Sequence, residues 1–127
     1  MKKHLKLFVF VSILMMLMLA CGIAMAKTYT ETVTAWDGSG KSWTVKTTPS
    51  TETPVAGQKM KITYSVTGSK MDSAYIGVNY DLGNGNFYDD YSWDLPSNGS
   101  ITVTPHKSAR SMTIWVGASV DTSGFGG

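Results

Sequence analysis

The stretch that most constrains the fold is QKMKITYSVT, from Gln58 to Thr67, in which polar and apolar residues alternate along its length. A period of two places every second side chain on the same face of a β-strand, so one face packs on a core and the other contacts water. The same alternation runs from Arg110 to Val120 and from Ala74 to Tyr80. We therefore expect these three segments to be the central strands of an all-β protein.

Four weaker strand signals surround these central strands. Thr28 to Trp36 and Ser42 to Thr48 flank the turn sequence DGSG and predict a β-hairpin. Phe87 to Leu95 and Ser100 to Thr104 flank a second turn sequence, PSNG, with Asn98-Gly99 at its tip. Fifteen threonines and thirteen serines after residue 26 also favour strands over helices. About seven short antiparallel strands of this kind are typical of an immunoglobulin-like β-sandwich.

The first 26 residues have the three parts of a secretion signal. A basic start, an apolar run and a small-x-small cleavage site follow one another: Lys2, Lys3 and Lys6, then Leu7 to Ala20, then Ala24-Met25-Ala26. We predict a cleaved bacterial signal peptide at residues 1–26, and hence a secreted or periplasmic protein. The β-sandwich then occupies residues 27–120, and the glycine-rich residues 121–127 form a flexible tail.

Two alternatives to a cleaved leader remain open. Cys21 follows Met18-Leu19-Ala20 and precedes Gly22, which resembles a lipobox, so the protein is alternatively a lipoprotein anchored by a lipid at Cys21. The uncharged run from Leu7 to Ala26 is also long enough for an uncleaved membrane anchor. In every case the membrane is a partner only through the leader or the lipid anchor.

Removal of the leader changes the charge of the chain. Three of the eleven bases lie in the leader and all nine acids lie after it, so the remaining chain has eight bases against nine acids. A nearly neutral domain has no broad positive face for a phosphate backbone, and we expect no nucleic acid partner. The single cysteine is also in the leader, so packing rather than a disulfide must stabilise the domain.

Two segments resemble known domain families. TPVAGQKMKITYSVTGS resembles the second strand of bacterial immunoglobulin-like surface domains, and VNYDLGNG, from Val78 to Gly85, is similar to the W-D-F-G-D-G signature of the PKD family. Tyr80 stands where that signature has tryptophan, and Asn84 stands where it has its second aspartate. The resemblance implies a sandwich fold and a non-catalytic spacer, adhesion or binding role.

Strand parity places several aromatic rings on the outside of the predicted sandwich. If Ile114 and Val116 face the core, Trp115 faces out, and the same logic turns Tyr75 outward beside Gly77. An exposed ring can stack on the apolar face of a sugar while nearby polar groups bond its hydroxyls. The predicted ligand-binding residues are Tyr75, Trp115, Asn79 and Tyr88. The alternative is that the first strand or another subunit covers these rings.

Two further tryptophans flank the DGSG turn. Trp36 and Trp43 are most simply a cross-strand pair that stabilises the first hairpin. They are also a second candidate for an aromatic binding surface.

The hairpin YDLGNGNFYDDYSWDLP is rich in oxygen ligands. Calcium takes six to eight oxygens, often from a flexible loop. The candidate set is Asp81, Asn84, Asn86, Asp89 and Asp90. The alternative is a solvated acidic turn, because the spacing is not that of an EF-hand and no glutamate closes the loop. We therefore predict no required cofactor, with calcium as the one candidate.

Catalysis has few residues to use. His106 is the only histidine after the leader, no thiol remains, and no nucleophile motif is present, so we predict no enzymatic activity. The predicted function is an exported module that binds glycans or cell surfaces. The alternatives are an envelope subunit that assembles by pairing its edge strand Thr28 to Ala35, and a secreted inhibitor that inserts Leu82 to Asn86 into an enzyme. The oligomeric state is left open.

Overall fold

A computed structural model describes residues 6–16, 27–35 and 38–121, with side chains for 27–35 and 38–120. The cleavage motif at 24–26, Cys21, Trp36 and the predicted tail after Asp121 lie outside the described residues. The described chain forms eight β-strands: β1 (Lys6–Met16), β2 (Tyr29–Thr34), β3 (Ser42–Pro49), β4 (Met60–Gly68), β5 (Ser73–Gly83), β6 (Asn86–Leu95), β7 (Asn98–Val103) and β8 (Ser111–Asp121). It contains no helix, and therefore no helix that could cross a membrane.

The strands form two antiparallel sheets that share one core. One sheet has the order β1-β8-β5-β6 and the other has the order β2-β3-β4-β7. A single cluster of buried side chains joins them, with Ile62 from one sheet and Ile76 and Ile114 from the other all fully buried. The predicted all-β, sandwich-like fold is confirmed at this level, with seven strands between Tyr29 and Asp121.

The strand order differs from that of an immunoglobulin constant domain. If β2 to β8 are labelled A to G, the sheets read A-B-C-F and G-D-E. An immunoglobulin constant domain has A-B-E-D and C-F-G. The two architectures share two antiparallel layers, but here β2, β3 and β4 lie side by side in one sheet.

The alternating segments are the central strands, as predicted. In β4 the buried residues Met60, Ile62, Tyr64 and Val66 alternate with more exposed polar ones, and in β8 Met112, Ile114, Val116 and Ala118 have no exposed surface. β5 and β8 pair directly, with Tyr75 opposite Gly117 and Gly77 opposite Trp115. The alternation of polar and apolar residues therefore correctly predicted both the positions of these strands and the faces that they bury.

A two-residue turn joins β5 to β6. Asn84 and Gly85 have φ angles of 55° and 76°, which are both in the left-handed region that a type I′ hairpin turn requires. After the turn Gly83 pairs with Asn86, and a bulge at Leu82 then places Asp81 opposite Phe87 and Tyr80 opposite Tyr88. Because directly opposed residues share a face, the turn and this bulge together decide which β6 side chains point outward.

Two sequence predictions were wrong in detail. Asn98 and Gly99 are not a turn tip but the start of β7, because Asn98 pairs with Ser65 of β4. β6 and β7 lie in different sheets, so the chain at Pro96 crosses between the layers. Trp43 does not form an aromatic binding surface and has Val33 as its cross-strand partner: it is 1% exposed, and its indole N–H donates to the Ser69 carbonyl at 2.7 Å.

β1 lies inside the predicted leader and forms the outer edge of its sheet. It pairs antiparallel with β8 along its whole length, from Lys6 opposite Asp121 to Met16 opposite Ser111. Through this pairing β8 becomes an internal strand, with β1 on one side and β5 on the other.

Candidate functional site

The outer face of the β8-β5-β6 sheet carries a group of aromatic rings. On β6, Tyr91 and Trp93 are 50% and 51% exposed. Tyr91 lies opposite Gly77 of β5, which lies opposite Trp115 of β8, so these positions share one face. Tyr75 lies on the same face of β5. We call Tyr75, Tyr91, Trp93 and Trp115 the aromatic surface.

Tyr91 lies directly on the backbone of β5. A Cβ atom added to Gly77 would be 2.6 Å from both Cδ1 and Cε1 of the Tyr91 ring. Only a residue without a side chain leaves room for the ring at this position. Half of Tyr91 stays exposed, as expected for a ring with one face on the protein and the other in water.

Trp93 is supported in a similar way, but by a second ring. Its indole stacks on Tyr75 with ring centroids 5.1 Å apart and planes 14° apart. Tyr75 is consequently only 5% exposed, and burial, with a smaller contribution from the nearby Tyr91, raises the pKa of Tyr75 to about 12. Tyr91 and Trp93 are neighbours, with centroids 5.7 Å apart and planes 33° apart.

A β-bulge accompanies the stack on Tyr75. Ile76 pairs with Ser92 and Ala74 pairs with Leu95, so two β6 residues, Trp93 and Asp94, oppose the single residue Tyr75. Asp94 takes a φ of 56°. Bulges bend a strand locally and are common beside binding sites, where they direct a side chain.

Polar groups border the two exposed rings. Asn79 of β5 lies opposite Asp89 of β6, and its amide Nδ2 donates to the Asp89 carboxylate. Asp89 is exposed and precedes Tyr91 by two residues, so it lies on the same face. Thr113 of β8 lies opposite Asn79 on the other side. The rings are therefore flanked by an amide, a carboxylate and a hydroxyl.

The structure brings together three of the four predicted ligand-binding residues. Tyr75, Asn79 and Trp115 all lie on the outer face, as strand parity predicts. Trp93 covers Tyr75, however, so Tyr75 supports the surface rather than presenting it. The covering element is β6, whereas β2, the first strand that the sequence suggested as an alternative, lies in the other sheet.

Tyr88 lies on the opposite face from the aromatic surface. It is opposite Tyr80, and the two rings stack with centroids 6.0 Å apart. Its other neighbour is His106, whose ring centroid is 5.4 Å away. Sequence reasoning missed Tyr91 and Trp93 instead. Counting outward from a two-residue Asn84-Gly85 turn would place Tyr91 opposite Val78, on the core face, and the bulge at Leu82 shifts the register so that Tyr91 lies opposite Gly77.

The five candidate calcium ligands are spread over different surfaces. Asp81 accepts a hydrogen bond at 2.8 Å from the Gly83 amide within the turn. Asp89 lies on the outer face, while Asp90 is opposite Val78 on the other face. Asn84 is in the turn, and Asn86 begins β6. Among the residues that the structure describes, no three His, Cys, Asp or Glu side chains form a group that could hold a metal ion.

Known proteins add no further guide to this site. No family model, no curated protein and no solved structure matches the chain. The resemblance to immunoglobulin-like and PKD domains stays a prediction, and a function has to be inferred from the side chains of the aromatic surface.

Proposed function

We propose that this protein is an exported, non-catalytic binding module that binds a glycan on its aromatic surface. The observation that carries the proposal is the pair Tyr91 and Trp93, which are half exposed and supported from below by Gly77 and Tyr75. The apolar face of a sugar packs on such rings, and its hydroxyls bond to adjacent polar groups. Asn79 and Asp89 supply such groups.

The support beneath the two rings favours binding energetically. Ordering a flexible side chain on binding costs about 0.5–1.5 kcal/mol. Tyr91 is held against the β5 backbone and Trp93 against Tyr75 before any ligand arrives. A ligand therefore contacts rings that are already in place, and little of this cost remains.

The acids on β6 favour a sugar over a protein partner. Protein interfaces exclude charged residues from their buried centre, because a carboxylate without a partner is costly to remove from water. Asp89 is exposed on the same face as Tyr91, and the exposed Asp94 follows Trp93 in the bulge, whereas Asp90 lies on the opposite face. Sugar hydroxyls can donate to Asp89 while the site stays partly hydrated.

A glycan array with the exported protein, with and without a calcium chelator, tests the proposal. Hits are then titrated by calorimetry against Tyr91→Ala and Trp93→Ala. We expect each variant to lose about tenfold or more in affinity, since a stacked aromatic contact contributes on the order of 1 kcal/mol beyond its buried area.

Tyr88→Ala is the matched control. Tyr88 is an aromatic residue on the same strand with the same 50% exposure as Tyr91, but it lies on the opposite face. Its loss should leave glycan binding unchanged. An array with no hits, or an equal loss of affinity in all three variants, would contradict the proposal. If glycan binding is lost in the presence of the chelator, the acidic hairpin again becomes a candidate calcium site.

The secreted inhibitor stays a prediction without a specific observation in its favour. The alternative of an assembly subunit does have an observation to build on, because β1 covers one edge of β8.

A further inference from the structure

The edge of β8 is unusually suited to accept another strand. Its residues from Ser111 to Val120 include no charge and no proline. Natural edge strands are protected against pairing by charged side chains, proline or covering elements. By comparison, β6, at the other end of the same sheet, carries Asp89, Asp90 and Asp94.

The protection of β8 comes from β1 alone. All eleven residues of β8 have a Cα partner in β1. β1 lies entirely within residues 1–26, the segment that the sequence predicts to be cleaved. Cleavage after Ala26 would remove β1 and leave the backbone N–H and C=O groups on that side of β8 without a partner strand.

A second β8 fits this edge with its core face matched. A twofold axis through Val116, the middle residue of β8, pairs all eleven residues antiparallel. Met112 then opposes Val120, and Ile114 opposes Ala118, each from the other copy. Directly opposed residues share a face. Every residue on the core face of β8 therefore meets a core-face residue of its partner.

The outer face of β8 is also complementary to itself in this register. Trp115, the largest residue on that face, opposes Gly117, which has no side chain. Thr113 opposes Ser119. No pair brings two bulky residues or two like charges together.

We propose that removal of the leader exposes β8 and that two copies of the processed chain pair there, β8 to β8, into one continuous sheet. β1 occupies the same edge in the precursor and so prevents pairing before export. The inference depends on cleavage of the leader, which is part of the proposed function, but it does not depend on glycan binding.

The test begins with the full-length chain expressed in a bacterial host that exports it. The intact mass of the purified product gives its first residue, and sedimentation across a range of protein concentrations gives its oligomeric state. We expect a chain that starts at Lys27 and a dimer that dissociates on dilution. A processed chain that stays monomeric would overturn the inference, and so would a product that retains residues 6–16. A glycan array on the same preparation reports on the proposed function separately.

A cysteine pair tests the register. The processed chain has no cysteine of its own, since the only one is at position 21. Thr113→Cys combined with Ser119→Cys places the two thiols of opposite copies side by side, while within one chain they are too far apart to bond. We expect a covalent dimer from the double variant on a non-reducing gel and none from either single variant. No dimer, or equal dimer from a single variant, would overturn the proposed pairing.

Discussion

The ring of Tyr91 occupies the space that a side chain at position 77 would need. A Cβ atom on Gly77 would lie 2.6 Å from two atoms of that ring, well inside van der Waals contact. Tyr91 is half exposed, so it can rotate toward solvent, whereas the β5 backbone is buried between β6 and β8. Because Gly77 has no side chain, the Tyr91 ring of β6 can pack on the backbone of β5.

Gly77→Ala should separate binding from folding. Alanine costs a strand no more than glycine does, and the change in unfolding free energy should stay within about 1 kcal/mol. The methyl group should push Tyr91 away from the sheet and lower glycan affinity about as much as Tyr91→Ala does. Thermal unfolding and calorimetric titration measure the two effects. Unchanged affinity would show that the position of Tyr91 does not depend on Gly77, and a chain that fails to fold would contradict the expected rotation of the ring toward solvent.

Tyr80→Phe should leave stability unchanged or raise it by up to about 1 kcal/mol. The Tyr80 hydroxyl is buried and has no hydrogen-bond partner among the described residues, so its removal relieves a desolvation cost. Tyr64→Phe is the matched control, because the Tyr64 hydroxyl donates to the Pro96 carbonyl at 2.9 Å. That variant should lose about 1 kcal/mol. Chemical denaturation of both variants gives the comparison, and an equal loss in the two would refute it.

Stability should fall as the pH rises from 10 to about 12. Burial is the main cause that raises the pKa of Tyr75 and of Tyr80 to about 12, from 10.0 for an ordinary tyrosine. In this window the unfolded chain has lost protons that the folded chain keeps, so unfolding becomes more favourable with rising pH. The loss should be on the order of 1–2 kcal/mol for each tyrosine.

Denaturation at several pH values, with absorbance of the phenolate as a second signal, checks the alkaline loss. Tyr80→Phe should reduce the loss, since one of the two shifted groups is then absent. A stability that does not change between pH 10 and 12 would contradict the burial of these two hydroxyls.

Replacement by phenylalanine should destabilise the protein much more at Trp43 than at Trp93. Trp43→Phe leaves a cavity in the core and removes the donor to the Ser69 carbonyl, so it should cost about 2–4 kcal/mol. Trp93→Phe should change stability by less than about 1 kcal/mol, because half of the indole is already in water. Urea midpoints compare the two, and a larger loss at Trp93 would refute this assignment.

The core could be predicted from the sequence because alternation encodes it directly. Met60 to Val66 and Met112 to Val120 repeat apolar residues at every second position, and all of these apolar residues are buried. The outer placement of Trp115 follows from the same rule. No turn or bulge interrupts either strand, so parity holds from end to end.

The residues of β6 could not be assigned in the same way. Rings and acids are mixed along the strand, so hydrophobicity does not tell one face from the other. Its parity is set by the two-residue turn at Asn84-Gly85 together with the bulge at Leu82, and it is altered again by the bulge at Asp94. The sequence therefore predicted Tyr88 at the site, where the structure has Tyr91 and Trp93.

The burial of Tyr75 under Trp93 depends on side-chain packing, which the alternation of polar and apolar residues does not predict. Parity correctly places Tyr75 on the outer face but does not show that Trp93 stacks on it. The buried position of Trp43 was missed for a related reason. Its position beside a glycine-rich turn suggested a surface pair, while its contact with Ser69 joins residues distant in the sequence.

The hairpin turn between β5 and β6 has a genetic consequence. Pairing beyond it has a period of two, so one codon gained between Asn84 and Gly85 would rotate the whole returning strand by half a turn. Tyr88 and Asp90 would then occupy the outside, and Tyr91 would be carried inward. A single in-frame insertion would therefore exchange the set of β6 side chains on the outer face without substituting any of them.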